Sequence, residues 1–222
     1  MRKTKVLFAL LAAFCFTAVS AQSASALSIT GATPFTGQQV SANQVFNIGT
    51  AVRVTCTHAT ITNGTLGPNT IGGPSTNMAT FTIAYHNNVT TPPRPCTAVI
   101  AGITVNATVT VTCQWSIVPT SFTSGSGVGW IRVCTTTITL SSFGCVITVP
   151  TQTITSGGTY QNLTSPNRVR VTVNIPGGAT PGVNWTQNGS CPGLPASATS
   201  TTPAQYAGYQ GTIDANGLQV IP

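Results

Sequence analysis

The sequence predicts an all-β fold, an antiparallel β-sandwich stabilised by disulfides, and three observations carry that expectation. First, Thr, Val, Ser and Gly dominate, while charged residues make up 4% of the 222 residues and Asp214 is the single acid. Strong helix formers such as Glu and Lys are therefore missing from the body of the chain, whereas β-branched side chains suit a pleated, half-buried surface. Second, apolar and polar residues alternate over long stretches, as in ITVNATVTVTCQWSI from Ile103 to Ile117. A period of two sends one set of side chains to a core and the other to solvent. Third, six cysteines follow an export leader, and an even number in an exported chain points to a disulfide framework.

The leader comes first along the chain. Arg2, Lys3 and Lys5 precede an apolar run from Val6 to Val19 and the small residues Ala24, Ser25 and Ala26. This pattern is a secretory signal peptide over residues 1–26, too short and wrongly flanked for a membrane anchor. Cleavage is expected after Ala26, with Ala21 as the alternative, and Cys15 leaves with the leader. What remains is a β domain over residues 27–222, or two packed β halves meeting near 141–145. Apolar residues at 41% and a positive mean hydropathy oppose disorder. No transmembrane segment is expected in the mature chain, so it is secreted to the exterior or retained at the cell surface.

Strands are expected at residues 52–62, 79–86, 103–118, 128–140, 145–149, 152–154, 168–175, 210–213 and 218–221. Between them lie the turn-forming stretches NGTLGPN, TTPPRPC, SGSG, TSGG, IPGGATPG and DANG. If 103–118 and 128–140 form an antiparallel hairpin with Cys113 opposite Cys134, Val111 faces Thr136 and Val109 faces Ile138. Further along, Ile117 faces Trp130 and Trp115 faces Arg132 as a cation–π pair. That register gathers the large apolar residues on one side, and a slip by one would replace them with threonines. Antiparallel partners also approach closely enough for a Cys113–Cys134 bridge. Pairing Cys56 with Cys96 and Cys145 with Cys191 is favoured because each bridge then stays within its own half, although spacing alone does not determine connectivity.

Composition excludes several chemistries. Glycoside hydrolysis requires two carboxyl groups, and the chain has one side-chain carboxyl. No G-x-S-x-G elbow is present, and Asp214 lies in IDANGL, where Asp and Asn-Gly are natural turn residues. No catalytic residue is therefore assigned. His58 and His86 lack metal-ligand spacing with the cysteines, so neither metal nor cofactor is expected. Arg53, Arg94, Arg132, Arg168 and Arg170 are scattered and make no nucleic-acid patch. Thr-x-Thr recurs in TVTVT, TTTIT and TQTIT, but without the regular period that an ice-binding coil needs, so these threonines read as solvent-facing strand positions. The aromatic candidates are Trp185 in GVNWTQNG, with Tyr206 and Tyr209 before the last hairpin. Exposed among Asn, Gln and Thr, they would stack on sugar rings; the plainer expectation is that they cap the ends of the sandwich.

The order VTCTHATIT, MATFTIAY, ITVNATVTVTCQWSIVP, GCVITV and SCPG, spanning Val52 to Gly193, resembles small exported bacterial proteins of the alkane-oxidation-activator (Pra-type) kind. Cys56, Cys96, Cys145 and Cys191 match that pattern, as does a Trp-containing strand at Trp115; Cys113 and Cys134 are additional. The resemblance implies a secreted, non-enzymatic factor. The expected function is non-catalytic surface contact (adhesion, matrix or interfacial association) with polysaccharide, envelope or apolar surfaces as partners; the alternatives are a glycan-binding module using Trp185, Tyr206 and Tyr209 and, more remotely, a hydrolase with an unrecognised site. A low-charge exterior suits such partners because little ionic hydration has to be stripped.

Overall fold

The computed structural model describes residues 27–71, 77–88, 90, 92–164, 166–178, 182–198 and 205–221. The leader expected over residues 1–26 lies outside the described residues. Among the described residues the chain forms eighteen strands and one 3₁₀ turn, Ser141–Phe143, and no α-helix. The first nine strands are β1 Ser28–Gly31, β2 Phe35–Gln39, β3 Gln44–Ile48, β4 Val52–Cys56, β5 His58–Pro68, β6 Asn77–His86, β7 Cys96–Ile100, β8 Ile103–Val111 and β9 Trp115–Thr123. The second nine are β10 Ser126–Val133, β11 Thr136–Leu140, β12 Cys145–Val149, β13 Gln152–Thr164, β14 Asn167–Ile175, β15 Trp185–Asn188, β16 Ser197–Ala198, β17 Ala207–Asn216 and β18 Leu218–Ile221. Alternation works as expected: in β14, Val169, Val171, Val173 and Ile175 are buried while Arg168 and Arg170 turn outward.

The strands pair antiparallel, but not as two open sheets. β14, β13, β10, β9, β6, β5, β2 and β17 pair in that order, and β17 pairs back with β14, so eight strands close into a barrel. Closure removes the open edges that a sandwich would carry. A second run leaves β17 in the order β3, β4, β7, β8, β11, β12, β15 and β16. The bridge Val183–Ala207 brings its far end back to β17. β1 and β18 form a separate two-stranded ribbon whose Ile29, Leu218 and Val220 are buried. The Asn162 amide serves the backbone of β18 as a strand would, donating to Val220 O at 2.7 Å and accepting from Val220 N at 2.9 Å.

Three of the expected strands are each two strands. Residues 52–62 break at Thr57, 103–118 at Thr112–Gln114, and 128–140 at Cys134–Thr135. At each break the chain crosses from one run to the other: β4, β8 and β11 belong to the second run, and β5, β9 and β10 to the barrel. Sheets joined through such strand corners share one core. The register follows from the corners. β8 and β11 pair as expected, with Val111 opposite Thr136 and Val109 opposite Ile138. Beyond the corner the alignment shifts by one, because three residues separate β8 from β9 and only two separate β10 from β11. Ile117 consequently faces Ile131, Trp130 faces Val118 and Arg132 faces Ser116. Ile131, not Trp130, enters the core. Trp115 pairs with Phe81 of β6, so the expected Trp115–Arg132 contact is not formed.

Disulfides join Cys56 to Cys96, Cys113 to Cys134 and Cys145 to Cys191, with Cα separations of 4.6, 5.6 and 4.9 Å. The middle bridge stands at the corner itself. There Thr151 Oγ1 accepts from Thr135 N at 3.1 Å, and Thr135 O accepts from Thr112 N at 3.2 Å. Replacing Cys113 and Cys134 together by alanine is expected to cost about 3 kcal/mol in equilibrium denaturation, from freeing a loop of this length in the unfolded chain. An unchanged denaturation midpoint would show that the corner does not depend on its bridge.

Candidate functional site

The three aromatic candidates lie in the core. Trp185, Tyr206 and Tyr209 are 1%, 5% and 4% exposed, so none offers a ring face to a sugar. Around Trp185 the polar neighbours Asn184, Thr186 and Asn188 are half-buried or exposed, whereas Tyr206 to Tyr209 are buried without a break. Trp185 opens β15 and its Nε1 donates to Gln205 O at 2.8 Å. Tyr209 packs edge-on against Trp115 at 5.4 Å between centroids and against Tyr85 at 6.1 Å, and it tilts over Phe46 at 5.0 Å. This cluster sits where the barrel and the second run meet. Tyr85 donates to the Tyr209 hydroxyl at 3.3 Å, and Tyr209 in turn donates to Oε1 of the fully buried Gln44. Burial pushes the phenols of Tyr85, Tyr160 and Tyr209 above their ordinary 10.0, because a phenolate there would lose its hydration.

Asp214 is occupied by two cations. It stands on β17, 4% exposed and opposite Arg170 of β14. Arg170 donates from Nε to Oδ1 at 2.8 Å and from Nη2 to Oδ2 at 3.1 Å, while Arg168 Nε lies 2.8 Å from Oδ2. Hydrogen bonding to the carboxylate raises the Arg170 pKa further. Both oxygens of the only acid side chain thus face guanidinium groups at the barrel's closing seam, and neither faces an imidazole. His58 and His86, placed on β5 and β6, stand directly opposite each other, half-buried and stacked at 5.6 Å with rings 7° from parallel. Thr57 Oγ1 lies 3.1 Å from His58 Nδ1. Among the described residues no three of His, Cys, Asp and Glu gather as a metal ion would require.

The outer face of the second run has a different character. Thr110 of β8, Thr137 of β11, Thr148 of β12 and Thr186 of β15 are consecutive cross-strand partners. Beside them run Thr108, Thr139, Val146 and Asn188. Six of these eight positions are threonine and none is charged. The β geometry spaces the rows about 6.7 Å apart and neighbours within a row about 4.8 Å apart. Val109, Ile138, Leu140, Ile147 and Val149 point the other way into the core. The Thr-x-Thr pairs come from strands joined by unequal loops, which is why no period marks them in the sequence, yet strand pairing brings them into register. The same outer face continues over β7, β4 and β3, where Asn47, Arg53, Val99 and Thr104 form another cross-strand row. At that end an open groove of about 520 Å³ lies between this row, the β3–β4 turn and Pro176–Gly177.

These features define a disulfide-stapled antiparallel β protein with an uncharged threonine face. No protein family, curated protein or solved structure matches the chain.

Two outcomes follow from the buried rings. Since the native state holds the protons of Tyr85, Tyr160 and Tyr209 more tightly than the unfolded chain, their contribution to stability is intact below about pH 10 and lost as pH rises through the raised native values. In a Tyr206→Phe variant, whose remaining phenols are these three, phenolate absorbance and circular dichroism followed together are expected to change in one step; phenolates forming in the folded variant near pH 10 would contradict the burial. Trp185→Ala is expected to cost about 3–5 kcal/mol of stability through the cavity left behind. Thermal unfolding checks this, and an undiminished melting temperature would place the ring outside the core.

Proposed function

We propose that this chain is a non-catalytic secreted or cell-surface protein that acts by contact, through the outer face of its second run of strands, with polysaccharide, envelope or apolar surfaces. The observation that carries the reading is the pair of cross-strand rows with threonine at six of eight positions and no charge. Each threonine offers a methyl group and a hydroxyl, so such a face can touch CH and OH groups together without stripping a hydrated ion. Two supports bear on the compartment. Three disulfides favour an oxidising environment, and no helix among the described residues is long and apolar enough to cross a membrane. The basic–apolar–small order of residues 1–26 supplies the export signal, and the Pra-type resemblance agrees with a secreted factor. The single acid side chain, fastened to two arginines, favours touching over turnover.

The test is sedimentation of the mature protein with insoluble cellulose, chitin and envelope fractions, and its partition onto alkane droplets. Wild type is expected to associate with at least one of these, and Thr110→Lys combined with Thr137→Lys and Thr148→Lys to lose most of that association while keeping its circular dichroism. Thr159→Lys, an exposed position on the barrel, serves as the control and keeps it. Wild type that stays in solution throughout, or face variants that bind like wild type, would refute the reading.

A further inference from the structure

We infer that the groove at the β3–β4 end of the threonine face is a binding site for a carboxylated sugar, a uronic-acid residue of an acidic polysaccharide; the inference rests on the contact reading above and names the class of polymer. Arg53 is its centre. It projects from the middle of the outer row, exposed, with Asn47 on one neighbouring strand and Val99 on the other. The chain contains one acid side chain, and Asp214 is held at the barrel seam by Arg168 and Arg170. No side-chain carboxylate is therefore left to neutralise Arg53, and its planar fork of N–H donors is open to a carboxylate from outside.

The groove's other groups suit the rest of a sugar ring. Val99, 42% exposed, and Pro176 present apolar walls of the kind on which ring CH groups rest. Asn47 and Thr50 bring donors and acceptors for hydroxyl groups. Gln210 Nε2 donates to Asn174 Oδ1 at 2.8 Å, which orients the amide and leaves its Oε1 to accept. The wall is built closely: a Cβ on Gly177 would lie 2.8 Å from Asn47 Cβ, so glycine lets the Pro176–Gly177 turn sit against β3. The volume of about 520 Å³ falls within the size of ordinary ligand sites. One guanidinium among neutral groups matches a singly charged carboxylate better than a phosphate, which would call for a second cation. Beyond the groove the neutral face of β8, β11 and β12 continues, which gives a longer chain somewhere to lie.

Calorimetric titration with soluble oligogalacturonate tests the assignment, beside a neutral cello-oligosaccharide and a sulfated glucan. Saturable binding of the uronate is expected, weakened about tenfold or more by Arg53→Gln and less by Arg53→Lys, which keeps the charge without the fork. No uronate binding, Arg53→Gln binding like wild type, or equal affinity for the neutral or the sulfated oligomer would overturn it. The two readings fail separately. Loss of uronate binding with threonine-dependent sedimentation intact removes only this site, whereas Arg53-dependent uronate binding without sedimentation leaves the site and removes the wider contact reading.

Discussion

Strand β17 belongs to the barrel and to the second run at once, and the architecture depends on how that division is achieved. Its residues Ile213 to Ala215 pair with β2, its residues Ala207 to Gln210 pair with β3, and β14 runs along its other side from Ile175 to Arg168. Between the two allegiances, at Gly211 and Thr212, the ladder must part. The half-buried backbone groups there need partners, and both main chain and polar side chains of the β2–β3 region supply them. Thr212 N donates to Ser41 Oγ at 3.1 Å, and Thr212 O accepts from Val40 N at 3.0 Å and from Gln44 Nε2 at 3.3 Å. A Cβ at Gly211 would fall 1.8 Å from Gln44 Oε1, so a side chain there would push the Gln44 amide off its hydrogen-bond partners. Gln44 in turn accepts from Tyr209, so the fork and the aromatic cluster are one buried network. A few residues further along, Asp214 fastens β17 to β14 through Arg168 and Arg170. Placing the only acid at this seam explains why it is unavailable for chemistry elsewhere.

From that fork the outer face follows. The second run is anchored at β17 through β3, and the Val183–Ala207 bridge returns its far end to the same strand. The corners at Thr57, Thr112–Gln114 and Cys134–Thr135 let one continuous chain feed both runs. Cys113–Cys134 and the Thr112, Thr135 and Thr151 contacts hold the second and third corners together. Because β8 and β11 are registered by that corner, Thr110 meets Thr137 and Thr108 meets Thr139. A one-residue slip would turn these threonines inward and Val109 and Ile138 out, so burial itself maintains the composition of the face. The composition of the outer face is thereby a consequence of packing beneath it.

Much of this was legible in the residues. Alternation located most strands, and Cys113 opposite Cys134 predicted the β8–β11 register because both a bridge and a core face demanded it. The corners were not legible. Thr57, Thr112 and Thr135 are the same residue type that fills the strands, and neither glycine nor proline marks Thr112–Gln114 or Cys134–Thr135. Without the corners, alternation predicts an Ile117–Trp130 alignment and a Trp115–Arg132 pair, and neither forms. Barrel closure depends on β14 meeting β17, about forty residues apart, and no local pattern encodes such a pairing. Of the candidate site, the glycan reading needs Trp185, Tyr206 and Tyr209 exposed, and all three are buried; the plainer expectation that such rings serve packing fits their positions better. The Thr-x-Thr pairs were noticed, yet their meaning resides in strand pairing. Arg53 stood out in the sequence only as one of five scattered arginines; its groove is visible only in three dimensions.

Through β17 the barrel and the second run form one cooperative body carrying the threonine face. Native-state hydrogen exchange measures this most directly. The amides of β14–β17 and those of β8–β11 are predicted to exchange through the same global opening, with one free energy and one denaturant dependence. If β8, β11 and β12 exchanged through a separate and much easier opening while β14–β17 stayed protected, the second run would be an independent unit and the single cooperative body would be disproved.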